Sequence, residues 1–116
     1  MKRRFRLAKQ TDFKRVRRHG KSYAHPLIVL VALPNEGGIP RFGVSAGRSV
    51  GGAVQRNRAK RRIREVLRPL VPEIRPGWDL VFLARRSIGQ AAFPELENAI
   101  RTVLRRAKLL ELDNAT

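Results

Sequence analysis

Apolar residues near the start of the chain recur at helical spacing between basic side chains. Phe13 and Val16 lie three positions apart, which places both on one face of a helix. Thr11 or Asp12 can cap this helix, because their side-chain oxygens accept hydrogen bonds from the free N–H groups of the first turn. Gly20 is expected to end it.

Three runs rich in β-branched and aromatic residues predict strands. The run over 27–33 lies between two prolines and is apolar throughout, which is typical of a strand buried on both faces. A turn of Asn, Glu and two glycines separates it from a second run over 41–46, and a third run covers 77–84. Residues 22–24 are a candidate for a further short strand.

Two longer segments have helical periodicity. The first covers 53–70, follows a loop over 47–52 and ends near Pro72. The second is predicted from Pro94 to about Leu110. Its inner face is expected to consist of Leu96, Ile100, Val103, Leu104 and Ala107.

The predicted order of elements is α-β-β-β-α-β-α, and the length of the chain suits one domain. We therefore expect a single domain over 1–116, with frayed residues at 113–116. A hydrophobic content of 42% is near the globular average and favours a folded core.

The formal net charge of +17 lies almost entirely in the first half of the chain. Residues 1–64 carry 18 Lys and Arg against two acids, whereas residues 65–116 carry eight against seven. Self-repulsion on that scale destabilises a compact state, so we expect a polyanionic partner that relieves it. Nucleic acid is the first candidate, and an anionic membrane surface is the second.

Several classes of protein are disfavoured by what the sequence lacks. The absence of cysteine excludes disulfides, thiolate metal sites and a cysteine nucleophile, and it fits a cytoplasmic location. The basic N-terminus is not followed by the apolar region of a signal peptide. The longest apolar run, 27–33, is too short to span a bilayer, so a soluble protein is expected.

The segment 53–68 combines seven cations and one acid with an apolar stripe. Its cations are stacked four positions apart, which costs stability in an isolated helix, and arginine outnumbers lysine six to one. A merely solvated face would alternate charges instead, so we favour a surface that binds phosphates. The stripe, within a sector of roughly 100° on a helical projection, consists of Ala59, Ile63, Val66, Leu67 and Leu70.

The helical projection also divides the polar side chains of this segment. One flank is expected to present Asn57, Lys60, Arg61, Arg64 and Arg68. Arg58 and Arg62 are expected on the far side, and Arg56 close to the sheet. Asn57 could contact a base edge, hold a hydrated metal ion or orient its neighbours, and the sequence does not choose among these.

The segment 51–65, which contains GGAVQRNRAKRRIRE, resembles the signature of the bacterial ribonuclease P protein subunit. The resemblance covers nearly the whole chain. It extends to the pairs Arg6-Leu7, Asp12-Phe13 and His19-Gly20 and to the strand segments RFGVS at 41–45 and DLVFLAR at 79–85.

The resemblance implies a fold and an activity. The fold is an α/β (α+β) two-layer sandwich, similar to a ribosomal-protein domain, with a left-handed β-α-β crossover that departs from the usual preference. The implied partners are a large catalytic RNA, one protein per RNA, and the 5′ leader of precursor tRNA. The two components remove the leader by Mg²⁺-dependent hydrolysis; the catalytic centre and the metal belong to the RNA, and no cofactor is expected on the protein alone.

The resemblance also implies two sets of site residues. Those expected to bind the catalytic RNA are Arg48, Arg56, Asn57, Arg58, Lys60, Arg61, Arg64 and Arg68. Those expected to line a leader-binding cleft between the first helix and the strand 27–33 are Lys9, Phe13, Lys14, Arg17, Val31 and Arg85.

Two positions of the cleft depart from the common family pattern, which places aromatic residues where this chain has Arg17 and Val31. We therefore expect the leader to be held through stacking on Arg17 or through phosphate contacts. Phe13 can equally be a core anchor of the first helix.

No residue of the chain is expected to be catalytic. A protein nuclease needs clustered carboxylates or a histidine pair, whereas the nine acids here are scattered and His19 and His25 lie six positions apart. Two alternatives to the ribonuclease P subunit remain, a structural ribosomal RNA-binding protein and a nuclease that acts alone.

Overall fold

The computed structural model describes residues 3–110, and the predicted fraying of 113–116 lies outside the described residues. The order of helices and strands follows the prediction. They are α1 (Gln10–His19), β1 (Lys21–Ala24), β2 (Ile28–Pro34), β3 (Arg41–Ala46), α2 (Ala53–Leu70), β4 (Trp78–Ala84) and α3 (Phe93–Arg106).

The four strands form one mixed sheet in the order β1-β2-β4-β3. β2 is antiparallel to both β1 and β4, whereas β3 and β4 are parallel and joined through α2. This is the β-α-β unit that the resemblance implies. The left-handedness of its crossover connection stays a prediction. β3 is an edge strand of this sheet, and within residues 3–110 the N-terminal segment pairs with its beginning, where the N–H of Leu7 donates to the carbonyl of Phe42 at 2.8 Å.

The two faces of the sheet pack against different helices. On one face, Leu30 and Phe82 belong to the main core, to which α2 and α3 contribute. On the other face, Val31 and Val81 pack with Val16 of α1. The sandwich of helices on a sheet is therefore confirmed, and α1 adds a smaller apolar layer on the opposite face.

β2 shows why the run over 27–33 is apolar throughout. The strand lies between β1 and β4, and three consecutive side chains, Leu30, Val31 and Ala32, are buried although they point to alternate faces. Leu27 precedes the strand in a tight turn closed by hydrogen bonds between His25 and Ile28.

The start of α1 differs from the prediction. The helix begins at Gln10 after an extended Lys9 and has no side-chain cap, so the expectation that Thr11 or Asp12 caps it is wrong. Both residues lie inside the first turn, where Asp12 faces Arg15 at 3.6 Å. The carbonyl of Lys9 accepts the backbone N–H groups of Asp12 and Phe13 instead.

Gly20 follows the last residue of α1, as predicted, but close packing rather than a left-handed conformation requires it there. Its φ angle is −79°. A Cβ atom at this position would lie 2.7 Å from Cγ1 of Val31, so only glycine lets the end of α1 approach the sheet this closely.

The last helix ends four residues earlier than predicted. Lys108 has a φ of 61°, and the N–H of Leu109 donates to the carbonyl of Leu104 at 2.9 Å, which is typical of a left-handed helix end. Leu109 and Leu110 are thereby turned into the core, where Leu110 pairs with Ile74. The free energy gained by burying the two leucines therefore exceeds what further helical hydrogen bonds would contribute.

Candidate nucleic-acid interface

The predicted apolar stripe of α2 docks this helix on the core. Ala59, Ile63, Val66, Leu67 and Leu70 are all buried against the sheet and α3. The remaining side chains of α2 are held in fixed directions by this packing, so its cations form rows of defined geometry.

An outward row of cations runs along the solvent side of α2. We define this outward row by three arginines, Arg58, Arg61 and Arg68, together with the neutral Asn57. All four side chains are exposed. Within residues 3–110 none of the three arginines forms an ion pair with an acid. Guanidinium groups that are exposed, fixed and unneutralised are suited to bind the phosphates of a nucleic acid.

Arg48 and the glycines before α2 lie next to the start of this row. Arg48 is exposed in a short 3-10 turn over Arg48–Val50. Gly51 has a φ of 142°, a conformation that favours glycine, and Gly52 precedes the helix without a side-chain cap. Gly52 therefore supplies no side-chain cap to the first turn of α2, whose N-terminal end carries a positive potential.

Two further cations of α2 lean toward the free edge of β3. Lys60 is half-buried in a groove of about 380 Å³. We call this the β3 groove; it is lined by Ala8, Gln10, Phe13, Lys14, Arg17, Val44, Ser45, Ala46 and Lys60.

Arg64 lines an adjoining pocket of about 220 Å³ that it shares with Arg6. Burial, together with the positive charge of Arg6, lowers the pKa of Arg64 from its usual value. The guanidinium stays charged at physiological pH, so two cations face one small pocket without a neutralising acid among its lining residues.

Arg62 differs from its neighbours on α2 because it is bonded to the protein. Its guanidinium donates to the carbonyl of Ile88 at 3.1 Å and to the carbonyl of Ala91. It therefore ties α2 to the segment between β4 and α3. Arg56 is half-buried in the first turn of α2, and its expected position near the sheet stays a prediction.

Phe13 of α1 packs on Gly43 of β3. A Cβ atom at Gly43 would lie 2.6 Å from Cζ of the Phe13 ring, so glycine is needed for this contact. The ring is half-buried and lines the β3 groove. Phe13 therefore anchors α1 and also presents part of its ring to a groove; its expected role in binding the leader stays a prediction.

On the face of the sheet that carries α1, one row of side chains across the four strands is not fully covered by the helix. Ala24, Val29, Leu83 and Ser45 lie next to one another across the four strands, and each is exposed or half-buried. We call this row, with α1 as its wall, the cleft. Val29, Leu83 and Ser45 were missed at the level of sequence, because strand alternation does not show which row a helix covers.

The expectation that Val31 lines the open cleft is wrong. Its side chain is 3% exposed and lies under the end of α1, against Val16 and the backbone of Gly20. The missing aromatic ring at this position therefore leaves no gap in the cleft, because the site is occupied by the packing of α1.

The other residues that were predicted to line the leader-binding cleft divide into two that line the β3 groove and two that do not. Lys14 and Arg17 are exposed on α1 and line the β3 groove with Phe13. Lys9 is exposed at the start of α1, and Arg85 is exposed after β4, where its Nη1 lies 3.4 Å from the carbonyl of His25. Neither of these two lines the groove.

A buried carboxylate on the same face of the sheet fixes α1 to β4. Asp79 of β4 has no exposed surface and accepts hydrogen bonds from Arg15, Arg41 and Asn35. Arg41 binds both of its oxygens, at 2.9 and 2.8 Å. Burial raises the pKa of Asp79, but these donors outweigh it and hold the pKa below its ordinary value.

The described residues contain no group of three or more His, Asp and Glu side chains that could hold a metal ion. The oxygens of Asp79 are taken by arginine and asparagine donors, and Asp12 faces Arg15. These carboxylates do not fit a resident Mg²⁺ ion, so no hydrolytic step is assigned to a metal on this chain.

Among the described residues, no helix has the length and apolar content needed to cross a membrane.

The family model for ribonuclease P matches residues 1–108. The chain belongs to the ribonuclease P protein family. A ribonuclease P protein component from Roseiflexus castenholzii is 42% identical over 96% of this chain and 92% of its own length. One from Herpetosiphon aurantiacus is 40% identical over 94% and 89%.

Solved structures of family members have the same fold. The RNase P protein of Staphylococcus aureus matches with a TM-score of 0.84 at 31% identity, over 91% of this chain and 97% of its own. That of Thermotoga maritima matches with a TM-score of 0.79 at 28% identity, over 87% and 96%. The resemblance inferred from the signature segment is thus confirmed, and the ribosomal alternative is not favoured.

Proposed function

We propose that this member of the ribonuclease P family is the RNA-binding subunit that assists a catalytic RNA in removing the 5′ leader of precursor tRNA. The outward row of α2 is the observation that carries the proposal. Its arginines are exposed, held by a docked helix and unpaired with acids in the described part of the chain. We assign the catalytic RNA to this row, together with Arg48 and Arg56.

The leader is assigned to the cleft beside α1. Its floor offers apolar side chains of Val29 and Leu83, and its wall offers Lys14 and Arg17. A single strand of RNA needs such a combination of backbone-binding cations and flat or apolar surface for bases. Arg17, where an aromatic ring is common in the family, can both stack on a base and bind a phosphate.

The chemistry of cleavage is assigned to the RNA. Mg²⁺ bound by the RNA would activate water and stabilise the developing negative charge. The residues of this chain would bind and orient the two RNAs, which raises the effective concentration of the reacting groups without a protein acid or base. A cytoplasmic location is part of the same proposal and is consistent with the absence of cysteine.

Reconstitution tests this function. The purified chain is combined with a bacterial ribonuclease P RNA at low Mg²⁺, and cleavage of precursor tRNA is compared with that by the RNA alone. We expect a faster reaction and tighter binding of precursor than of mature tRNA. No gain in either quantity would reject the subunit role, and cleavage by the protein freed of RNA would favour a nuclease that acts alone.

A further inference from the structure

Val54 interrupts the outward face of α2 with an apolar side chain. It lies four positions before Arg58 and seven before Arg61, so the three side chains share one side of the helix. Val54 is 78% exposed, far more than Ile39 and Phe93, which are the other exposed large hydrophobic residues within 3–110. The buried stripe on the opposite side of α2 holds Val54 in this direction.

The fold gains nothing from valine at this position. A β-branched side chain has a lower helix propensity than alanine, and one that stays exposed buries no apolar surface on folding. Single exposed apolar residues are common on protein surfaces, but this one lies among arginines on the surface that we assign to RNA. Its methyl groups can contribute free energy when that RNA covers them.

The chain before Val54 leaves room for a close approach. Gly51 and Gly52 precede α2, and Ala53 is its first residue. Gly52 and Ala53 are both exposed. None of these three positions carries a side chain larger than a methyl group, so a flat base or a ribose can reach Val54 from this side.

Glu65 interrupts the same face with an acid. It is exposed, four positions after Arg61 and three before Arg68. Within residues 3–110 its carboxylate forms no ion pair. A carboxylate repels a phosphate, but it accepts hydrogen bonds from the amino groups of bases and from ribose hydroxyls.

The spacing of Val54 and Glu65 places both on one line along α2. They are eleven positions apart, which corresponds to about 16 Å along the helix axis and nearly the same direction around it. On a helical projection Arg58 lies on one side of this line and Arg68 on the other. Cations that bind phosphates on two sides fix an RNA strand so that its bases or riboses meet the line between them.

We propose that Val54 and Glu65 contact bases or riboses of the catalytic RNA, Val54 by burial of its methyl groups and Glu65 by accepting a hydrogen bond. The arginines of the outward row bind the adjoining phosphates. This rests on the proposed function. The outward face of α2 then recognises a particular RNA surface, because phosphate contacts alone carry no sequence information.

The salt dependence of binding tests Val54. The chain is titrated with a bacterial ribonuclease P RNA at several salt concentrations. Val54→Ala should bind about fivefold more weakly with an unchanged log–log slope, because no phosphate contact is lost. Val54→Ile keeps the apolar surface and should bind like wild type. Urea unfolding should show Val54→Ala to be at least as stable as wild type, since alanine is the better helix former, so a folding defect would not explain weaker binding.

A pair of substitutions tests Glu65 in the same titration. Glu65→Gln keeps an acceptor oxygen and should bind at least as tightly as wild type. Glu65→Ala loses the acceptor and should bind about threefold more weakly. A carboxylate that only repels phosphates predicts the opposite result, in which both variants bind more tightly than wild type.

Ile39→Ala and Glu36→Ala are matched controls in the turn between β2 and β3, outside the surfaces that we assign to RNA. Both side chains are exposed. The first control removes an exposed apolar side chain, and the second removes an acid from the same highly basic chain. Both should bind the RNA like wild type.

Three results overturn the proposal. One is a Val54→Ala variant that binds like wild type, and another is a Val54→Ala variant whose salt slope is flattened, as expected for loss of a phosphate contact. The third is a Glu65→Ala variant that binds as tightly as Glu65→Gln. Failure of the wild-type chain to bind the RNA would instead reject the proposed function, so the two failures are distinguishable.

Discussion

Arg15 of α1 donates a hydrogen bond to Asp79 of β4, and this ion pair ties the helix that walls the cleft to the interior of the sheet. Asp79 is fully buried, whereas the Arg15 side chain is 38% exposed. The carboxylate is shared with Arg41 of the edge strand β3, so one buried charge holds α1, β3 and β4 together.

Replacing Asp79 by asparagine should destabilise the fold by about 2–4 kcal/mol, because two arginines lose their buried negative charge and one of the two acceptor oxygens becomes an NH₂ donor. Urea unfolding measures the loss. Asp12→Asn is the control: its pair with Arg15 is longer and partly exposed, so about 0.5 kcal/mol or less is expected. Equal losses in the two variants would contradict the importance of the buried carboxylate.

Acid should remove the contribution of Asp79 to stability. Its pKa in the folded protein is held below the ordinary value by Arg41, Arg15 and Asn35, so the unfolded chain binds the proton at higher pH. The contribution is complete above the ordinary pKa of aspartate, about 4, and is lost as the pH falls through the lower folded value. The unfolding free energy of Asp79→Asn should fall less steeply below pH 4 than that of wild type. Parallel curves would show that other carboxylates dominate.

Gly43→Ala should displace the Phe13 ring, since the new Cβ would lie 2.6 Å from it. We expect a loss of about 1–3 kcal/mol, as for overpacking of a core, and a weaker preference of the holoenzyme for precursor over mature tRNA. Gly47→Ala is a matched control on the loop after β3, because a Cβ there has no neighbour within 4 Å. Its stability and tRNA preference should match wild type; an unchanged preference in Gly43→Ala would separate the ring position from leader binding.

Two adjacent arginines of α2 should behave in opposite ways. Arg61→Ala should leave stability unchanged and flatten the salt dependence of binding to the catalytic RNA by about 0.7–0.9 in log–log slope. Arg62→Ala should lower stability by about 1–3 kcal/mol, because Ile88 and Ala91 lose a charged donor, while the slope stays the same. Salt titrations of binding, with urea unfolding of each variant, distinguish them; a flattened slope in Arg62→Ala would place it on the RNA surface.

The two roles of Phe13 can be separated by size-conserving substitution. Phe13→Leu keeps most of the apolar contact between α1 and the sheet but removes the flat ring, so it should retain stability within about 1.5 kcal/mol. If the ring stacks on a leader base, precursor binding falls by about 1–3 kcal/mol. Phe13→Ala should lose both properties. Binding of precursor tRNA to the holoenzyme, measured beside thermal unfolding, decides between stacking and packing.

Much of the fold could be predicted because its determinants are local. The period of Ala59, Ile63 and Val66 determined which side of α2 docks, and the same positions are buried in the structure. The unbroken apolar run determined that β2 is central. The charge asymmetry indicated a polyanionic partner, and the resemblance carried by the signature segment indicated the family and its RNA partner.

Other features depend on contacts between segments far apart in the chain. The end of α3 was predicted too late, because the burial of Leu109 and Leu110 against Ile74 is a tertiary contact that helical periodicity does not encode. Val31 was expected in the cleft, and only the close approach of α1 at Gly20 shows that it is covered.

The division of α2 into two cationic sides was decided by the tertiary structure alone. On a helical projection Lys60 and Arg61 are neighbouring members of one basic face. In the folded protein Lys60 faces Lys14 and Arg17 across the edge of β3, while Arg61 faces solvent. The sequence by itself determined that this chain carries a dense, ordered positive charge; the packing of α1 and α2 on opposite faces of one edge strand decided which of those charges line the groove at that edge and which face solvent.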